Sequence, residues 1–275
     1  MLATLLSLTL LAQAPETITY SKIDGVDLQM DVYRPAATAA KTPAFAVVVI
    51  HGGAWMGGNR VDMRDLCTAL TKQGFVAASV SYRLAPKFKY PTMIQDVQTA
   101  VRYLRANSKA LNIRRDKIGA AGASAGGQLS LMLGSTESRM RTSREATNQS
   151  SKVQVVLNLF GPVDMTIAQD YGRALDPVFS AVLGKPRAEA AALIKAASPY
   201  YSFTRESAPT FTIHGDKDPL VPVNQAKVLE AKLTELNVPH ETRIVPGMAH
   251  GIDMKVPGTG KALQDGIDYL RKWLR

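Results

Sequence analysis

Gly122-Ala123-Ser124-Ala125-Gly126 constrains this chain more than any other stretch. It follows the apolar run Ile118-Gly119-Ala120-Ala121 and precedes a helix-like run over 128–133. A strand that turns so abruptly into a helix strains its corner residue. Small neighbours let the backbone pass and leave the serine hydroxyl exposed. The first amides of the helix point at the same spot and favour negative charge there. The string therefore predicts a nucleophilic Ser124 at the carboxyl end of a strand and, with it, hydrolysis of acyl compounds. Tight strand-to-helix packing without chemistry is the competing reading.

A serine nucleophile needs three further things, and three segments offer them. The first is His51-Gly52-Gly53-Ala54-Trp55, directly after the apolar run 46–50. An oxyanion must be held by backbone N–H groups, each worth about 3–4 kcal/mol of transition-state stabilisation. Gly52 and Gly53 let the backbone present its amides without side-chain clash. The hole is assigned to the N–H groups of Gly53, Ala54 and Ala125. A glycine-rich turn closing a buried strand would explain the glycines alone. His51 reads as a loop organiser, and Trp55 either lines the acyl pocket or packs the base of the loop.

The second segment runs from Phe211 to Pro222 and holds His214-Gly215-Asp216-Lys217-Asp218-Pro219. A carboxylate here can orient an imidazole and stabilise its cation. Asp218, at the far end of the turn, is the candidate. Asp216 is expected to hydrogen-bond the turn backbone, and His214 to be structural. A solvated Asp-rich turn is the plain alternative. The third segment is Val245-Pro246-Gly247-Met248-Ala249-His250-Gly251, a strand running into a glycine-flanked loop. Of the four histidines, only His250 follows the acid on a loop at a strand's carboxyl end. His240, in Val238-Pro239-His240-Glu241, reads as surface.

The rest of the pattern places these segments in an α/β fold. Residues 17–20 and 28–34 read as a hairpin across Asp24-Gly25. Strands are expected over 44–50, 75–82, 153–160, 210–214 and 241–245, besides the one before Ser124. Helices are expected over 61–72, 94–106, 223–236 and 260–274, besides the one after Ser124. An antiparallel start followed by β/α alternation implies a mostly parallel sheet with helices on both faces. Ligands bind such sheets at the carboxyl ends of the strands, where every candidate residue falls. Residues 136–152 read as a long exposed loop. The Pro-punctuated segment 165–207 lies between the sixth and seventh strands, where a lid could be built. No repeat, linker or second domain is visible over 15–275.

Composition sets further bounds. With 275 residues, 46% of them hydrophobic, the core is ample for one α/β domain. Cys67 is the only cysteine, which excludes an intramolecular disulfide and a cysteine-built metal site; its helix-like surroundings make it a buried small residue. The net charge of +10 comes from dispersed basic residues without a nucleic-acid motif. General solubility is the expected reading, with attraction to acidic polysaccharide as the alternative. Residues 1–11 are apolar and uncharged and Ala12-Gln13-Ala14 resembles a cleavage site, so 1–14 is expected to be a signal peptide of a secreted or periplasmic protein. Eleven apolar residues are too few for stable membrane insertion. Nothing in the sequence specifies an oligomeric state.

Taken together, His51-Gly52-Gly53-Ala54-Trp55, Ser81-Tyr82-Arg83-Leu84-Ala85-Pro86, Asp96-Val97, the stretch 122–127, the stretch 214–222 and Gly247-Met248-Ala249-His250-Gly251 resemble the α/β-hydrolase superfamily. Within it the chain is similar to bacterial acetyl and feruloyl esterases and to hormone-sensitive-lipase-type esterases. The order Ser124, Asp218, His250 matches that superfamily. The resemblance implies an eight-stranded sheet, a serine carboxylesterase mechanism through an acyl-enzyme, and no metal or organic cofactor. Hormone-sensitive-lipase relatives usually read HGGG and GDSAG. Ala54 and Ala123 depart from those strings and favour the carbohydrate-ester branch, with acetyl or feruloyl groups on plant polysaccharide as substrate. A lipase-like esterase on small or lipid esters, an aryl formamidase and a catalytically silent binding protein are the alternatives.

Overall fold

The computed structural model describes residues 14–36, 42–135, 148–171 and 175–275. The expected leader lies outside these residues apart from Ala14, as does most of the polar loop 136–152.

The chain begins with β1 (Glu16–Ile23) and β2 (Val26–Tyr33), paired antiparallel. Asp24 and Gly25 both take positive φ, 51° and 72°, as a two-residue hairpin turn that follows the right-handed twist of its strands requires. The alternation then runs β3 (Ala44–Ile50), α1 (Arg64–Lys72), β4 (Val76–Val80), α2 (Thr92–Ala106), β5 (Ile113–Ala123) and α3 (Ala125–Ser135). After β6 (Val156–Leu159) come three short helices, α4 (Ala168–Tyr171), α5 (Asp176–Leu183) and α6 (Ala191–Ala197). The chain closes with β7 (Thr210–Gly215), α7 (Asn224–Glu235), β8 (His240–Val245) and α8 (Thr259–Leu274).

Among the described residues the strands form one eight-stranded sheet in the order β1-β2-β4-β3-β5-β6-β7-β8. The pairs β1/β2 and β2/β4 are antiparallel; every pairing from β4 to β8 is parallel. Succession along the chain steps from β3 to β4 on one side and returns to β5 on the other. The crevice at the carboxyl ends of β3 and β5 is thus the switch point where open α/β sheets bind ligands.

Strand β3 shows why helices must cover both faces. Its residues 46–50 are fully buried, and successive side chains of a strand point to opposite sides. Ala46, Val48 and Ile50 pack with Val97, Val101 and Leu104 of α2 and Leu129 of α3. Val47 and Val49 pack with Leu66, Cys67 and Leu70 of α1 and Ile267, Leu270 and Leu274 of α8. Cys67 is therefore a core residue.

Arg83, just past β4, is almost wholly buried and forks onto Asp96 of α2, with Nη2 2.6 Å from Oδ1 and Nε 2.9 Å from Oδ2. It also pairs with Asp24 of the hairpin turn. One paired guanidinium thus ties the antiparallel entry to the parallel body, and the pairing holds its proton more firmly than usual against the opposing effect of burial.

Several boundaries differ from the sequence reading. The expected helix 61–72 splits into a 3-10 turn, Arg60–Met63, and α1. Asn59 and Asp62 form a capping box that starts the turn. Strand β5 begins at Ile113 rather than at 118, because exposed Arg114, Arg115 and Asp116 extend it past the core. The expected strand 153–160 is laddered only over Val156–Leu159. The end of the expected exposed loop is tied down: Arg105 donates to the carbonyls of Ser150 (3.0 Å) and Lys152 (2.6 Å), and Ser151 is buried.

Candidate active site

Ser124 sits between the end of β5 and the start of α3 with φ at 54°, a left-handed conformation that costs a non-glycine residue energy. Two backbone bonds hold it there. Its N–H donates to Leu159 O (2.9 Å), and its carbonyl accepts from Gln128 N (3.0 Å). The flanking glycines have a steric reason. A Cβ on Gly126 would lie 2.1 Å from Ile50 O, and one on Gly122 would lie 2.2 Å from Gly126 O. Without them α3 could not lie against the ends of β3 and β5.

The structure brings Ser124, His250 and Asp218 together from three separate carboxyl ends. Ser124 Oγ is 2.8 Å from His250 Nε2, and His250 Nδ1 is 2.7 Å from Asp218 Oδ2. A carboxylate only accepts, so Nδ1 carries the proton and Nε2 is left to accept from the serine hydroxyl. Phe160 sets its ring edge-on to His250, with centroids 4.9 Å apart.

Asp218 is fully engaged. Its Oδ1 accepts from the amides of Leu220 and Val221, both at 2.9 Å. Its Oδ2 lies 3.5 Å from His214 Nε2 besides the bond to His250. Burial pushes this carboxyl up, but the hydrogen bonds from His214, His250, Val221 and Leu220 outweigh it and hold the group well below the usual carboxylate range. His214 is completely buried and donates Nε2–H to Val221 O at 2.7 Å, which fixes the turn around the acid.

The oxyanion candidates converge on the same place. Gly53, Ala54 and Ala125 line a cavity of about 490 Å³ together with Ser124 and His250. Gly53, Ala54 and Trp55 all have positive φ (106°, 52° and 59°). This left-handed run is pinned by Met56 N and Gly57 N, which donate to Gly53 O at 2.9 Å, and by Ala85 N, which donates to Trp55 O at 2.9 Å. Ala125 opens α3, and the first N–H groups of a helix have no partner within it. Beneath the loop, His51 stacks on Tyr82 (centroids 4.3 Å apart) and donates Nδ1–H to Gly52 O at 2.7 Å. Burial lowers its basicity and outweighs the opposing bond to Gly52, so a neutral imidazole organises the loop. His240 Nδ1 donates to Val238 O at 2.8 Å, away from the site.

Sequence reasoning placed Asp216 on its own turn; the structure corrects this. Asp216 Oδ1 accepts from the backbone N–H of Gly247 (2.7 Å), on the loop that carries His250. Two residues went unnoticed. Gln128 holds the Trp55 indole N–H on Oε1 (3.0 Å) and donates Nε2–H to Ala197 O (2.7 Å). Asn158 accepts Gly161 N–H on Oδ1 at 3.1 Å, and a Cβ on Gly127 would come within 2.7 Å of that oxygen. A lone amide in a helix otherwise of small and apolar residues, and another in an apolar strand, are the signals that could have found them. Trp55 is among the residues lining the cavity, and its indole N–H anchors the loop to α3.

Most of the remaining cavity wall is apolar, with Asp62 as an exception: Met63, Phe160 and Pro162 line it, and the segment 165–207 adds Tyr171 of α4, Leu175, and Val178 and Phe179 of α5. Leu220 closes the other side and is half exposed. The arrangement can bring a serine oxygen to an ester carbonyl carbon and backbone amides to its oxygen, beside an imidazole base and within mostly apolar surroundings. No helix of the described residues is long and apolar enough to cross a membrane.

Comparison with known proteins agrees with this geometry. Esterase LipC of Mycobacterium tuberculosis is 31% identical over 230 residues, covering 82% of this chain and 57% of that protein. The chain spans somewhat over half the length of the first curated relatives that it matches, 56–58%. A thermophilic esterase from Thermogutta terrifontis, solved with propionate bound, superposes with a TM-score of 0.80 at 23% identity and 94% coverage of both chains. A truncated carbohydrate esterase from gut microbiota superposes with a TM-score of 0.82 at 25% identity, covering 96% of this chain and 98% of that one. Residues 30–233, well over half of the sequence, match the BD-FAE family model. This chain belongs to the BD-FAE family and has the α/β-hydrolase fold.

Proposed function

We propose that the protein is a serine carboxylesterase that hydrolyses short-chain or aromatic acyl esters, with acetyl or feruloyl groups on plant polysaccharide as the substrate class. The observation that carries this reading is the unbroken hydrogen-bonded line from Asp218 through His250 to Ser124, ending in a cavity that Gly53, Ala54 and Ala125 also line. The names of the relatives support ester hydrolysis, and the gut carbohydrate esterase supports a sugar-borne ester.

The chemistry follows from the residues. Ser124 Oγ attacks the ester carbonyl carbon as its proton passes to His250 Nε2. Asp218 holds the imidazole by Nδ1 and stabilises its positive charge. The carbonyl oxygen, now negative, rests on the amides of Gly53, Ala54 and Ala125. The bond to the alcohol oxygen breaks, His250 returns the proton to that oxygen, and an acyl-serine remains. Water, giving a proton to the same imidazole, attacks the acyl carbon; the bond to Ser124 Oγ breaks, the imidazole returns the proton to that oxygen, and the acid is freed. No step in this scheme calls on a metal or organic cofactor.

The described residues of the segment 165–207 give Tyr171, Leu175, Val178 and Phe179 to the cavity lining, which supports reading the segment as a lid. We further propose that the protein is exported, on the strength of the apolar start and Ala12-Gln13-Ala14; mass spectrometry of the mature protein then finds a start near Pro15, and an intact Met1 contradicts it.

The test of function is acid release from acetylated and feruloylated xylan, with p-nitrophenyl acetate as control. Release from polymer supports the carbohydrate-ester reading and identifies the acyl group. Turnover of the nitrophenyl ester alone moves the substrate to small or lipid-like esters, and no turnover of either rejects the esterase reading.

A further inference from the structure

Next to the catalytic cavity lies a second, small apolar space. It is about 20 Å³, room for about one water, and its wall is formed by Tyr90, Met93, Leu129, Val182 and Ile194 among others. Among the described residues, only Trp55 and Phe179 belong to the linings of both spaces. Both residues therefore stand between the two spaces. Both are buried, at 8% and 4% exposure.

The partition is fixed from several directions. The Trp55 indole N–H is held by Gln128 Oε1 at 3.0 Å, and Gln128 is held in turn by Ala197 O at 2.7 Å. The Trp55 carbonyl is held by Ala85 N at 2.9 Å. Phe179 packs edge-on to Tyr171, with centroids 5.7 Å apart, and carries the Arg187 guanidinium 4.7 Å from its ring centre. Swinging Trp55 aside would leave the buried oxygen of Gln128 unpaired, which is costly.

Trp55 directly follows Ala54, an amide assigned to the oxyanion. The wall thus stands next to the carbonyl that is attacked, with Phe179 completing it from α5. We infer that Trp55 and Phe179 are specificity-determining residues that end the acyl subsite, so that the enzyme selects short acyl groups and rejects long ones. This rests on the carboxylesterase reading and deepens it, since it places acetyl ahead of feruloyl. The small space beyond Trp55 and Phe179 is the volume a longer chain would enter once either side chain is trimmed.

The experiment measures kcat/KM for p-nitrophenyl acetate, butyrate and octanoate, and for acetate esters of alcohols of increasing size. The proteins are wild type, Trp55→Ala and Phe179→Ala, each checked for folding by circular dichroism and thermal melting. The wild type is expected to fall steeply from butyrate to octanoate. In each folded variant the octanoate-to-acetate ratio is expected to rise about tenfold or more, the scale on which apolar pockets discriminate chain length. Alcohol preference is expected to stay within about threefold, well inside that scale. Phe179→Ala lies outside the oxyanion loop, so it reads the partition even if Trp55→Ala does not fold. A wild type that takes octanoate as readily as acetate overturns the inference. So do folded variants whose acyl profile is unchanged, or whose alcohol profile shifts instead. Those results leave the esterase reading standing, whereas a folded wild type that turns over no ester overturns both.

Discussion

Asp216 accepts a hydrogen bond from the backbone N–H of Gly247 at 2.7 Å, joining the turn of Asp218 to the loop of His250. Two backbone bonds flank it: Asp216 N to Val245 O (3.3 Å) and Lys217 N to Met248 O (3.1 Å). The segments approach so closely that a Cβ on Gly215 would fall 1.9 Å from Met248 O. The acid and the base are thus set against each other by a backbone clamp before their side chains meet.

This clamp makes Asp216 a positioning residue. Asp216→Ala is expected to lower kcat about tenfold to a hundredfold, the cost of small misplacements in a preorganised site. Asp216→Asn keeps an acceptor for Gly247 N–H and is expected to recover most of the loss. Steady-state kinetics on p-nitrophenyl acetate check both; equal activity in the alanine variant and the wild type removes the role.

Asp218 carries a pH signature. Its folded carboxyl is held well below its ordinary value, which is about 3.9 in an unfolded chain. A depressed carboxyl contributes stability that is fully present above the unfolded value and is lost as pH falls through the folded one. The stability gap between wild type and Asp218→Asn is therefore expected to be constant above about pH 5 and to narrow below about pH 4. Urea melts from pH 2.5 to 7 check this. In the same variant kcat is expected to fall about 10⁴-fold, because an amide beside Nδ1 favours the wrong tautomer.

Gly126 sets how near α3 comes to β3. Gly126→Ala places a methyl group 2.1 Å from Ile50 O, against a backbone carbonyl that has no rotamer to escape into. The variant is expected to lose about 1–3 kcal/mol of stability through overpacking and to lose activity as Ser124 and the Ala125 amide are displaced. Denaturant titration with parallel kinetics separates the two effects, and an unperturbed variant contradicts the steric account.

The sheet was legible because short continuous apolar runs such as 44–50 are bounded by turn residues, here Pro43 before and Gly52-Gly53 after, and because α1 and α8 are strongly amphipathic. The site residues were legible from position: each sits where a strand runs out into a short loop rich in small residues. Long-range polar contacts were not. The lone amide in α3 marks Gln128, but its partner shows only once the Trp55 indole is brought to it from 73 residues away. Asp216 looked like a turn residue because its partner, Gly247, is a bare amide on another loop. The 165–207 segment hid its role in the same way. Its helices are of four to eight residues, too short for periodicity to show which face meets the site.

The most direct test of the account is the rate of p-nitrophenyl acetate hydrolysis by wild type and by folded Ser124→Ala, with intact-mass spectrometry of wild type quenched during turnover. The account predicts a loss of several orders of magnitude in the variant, and in the wild type an added acetyl group that maps to Ser124. Near-wild-type turnover in a folded Ser124→Ala protein would contradict it.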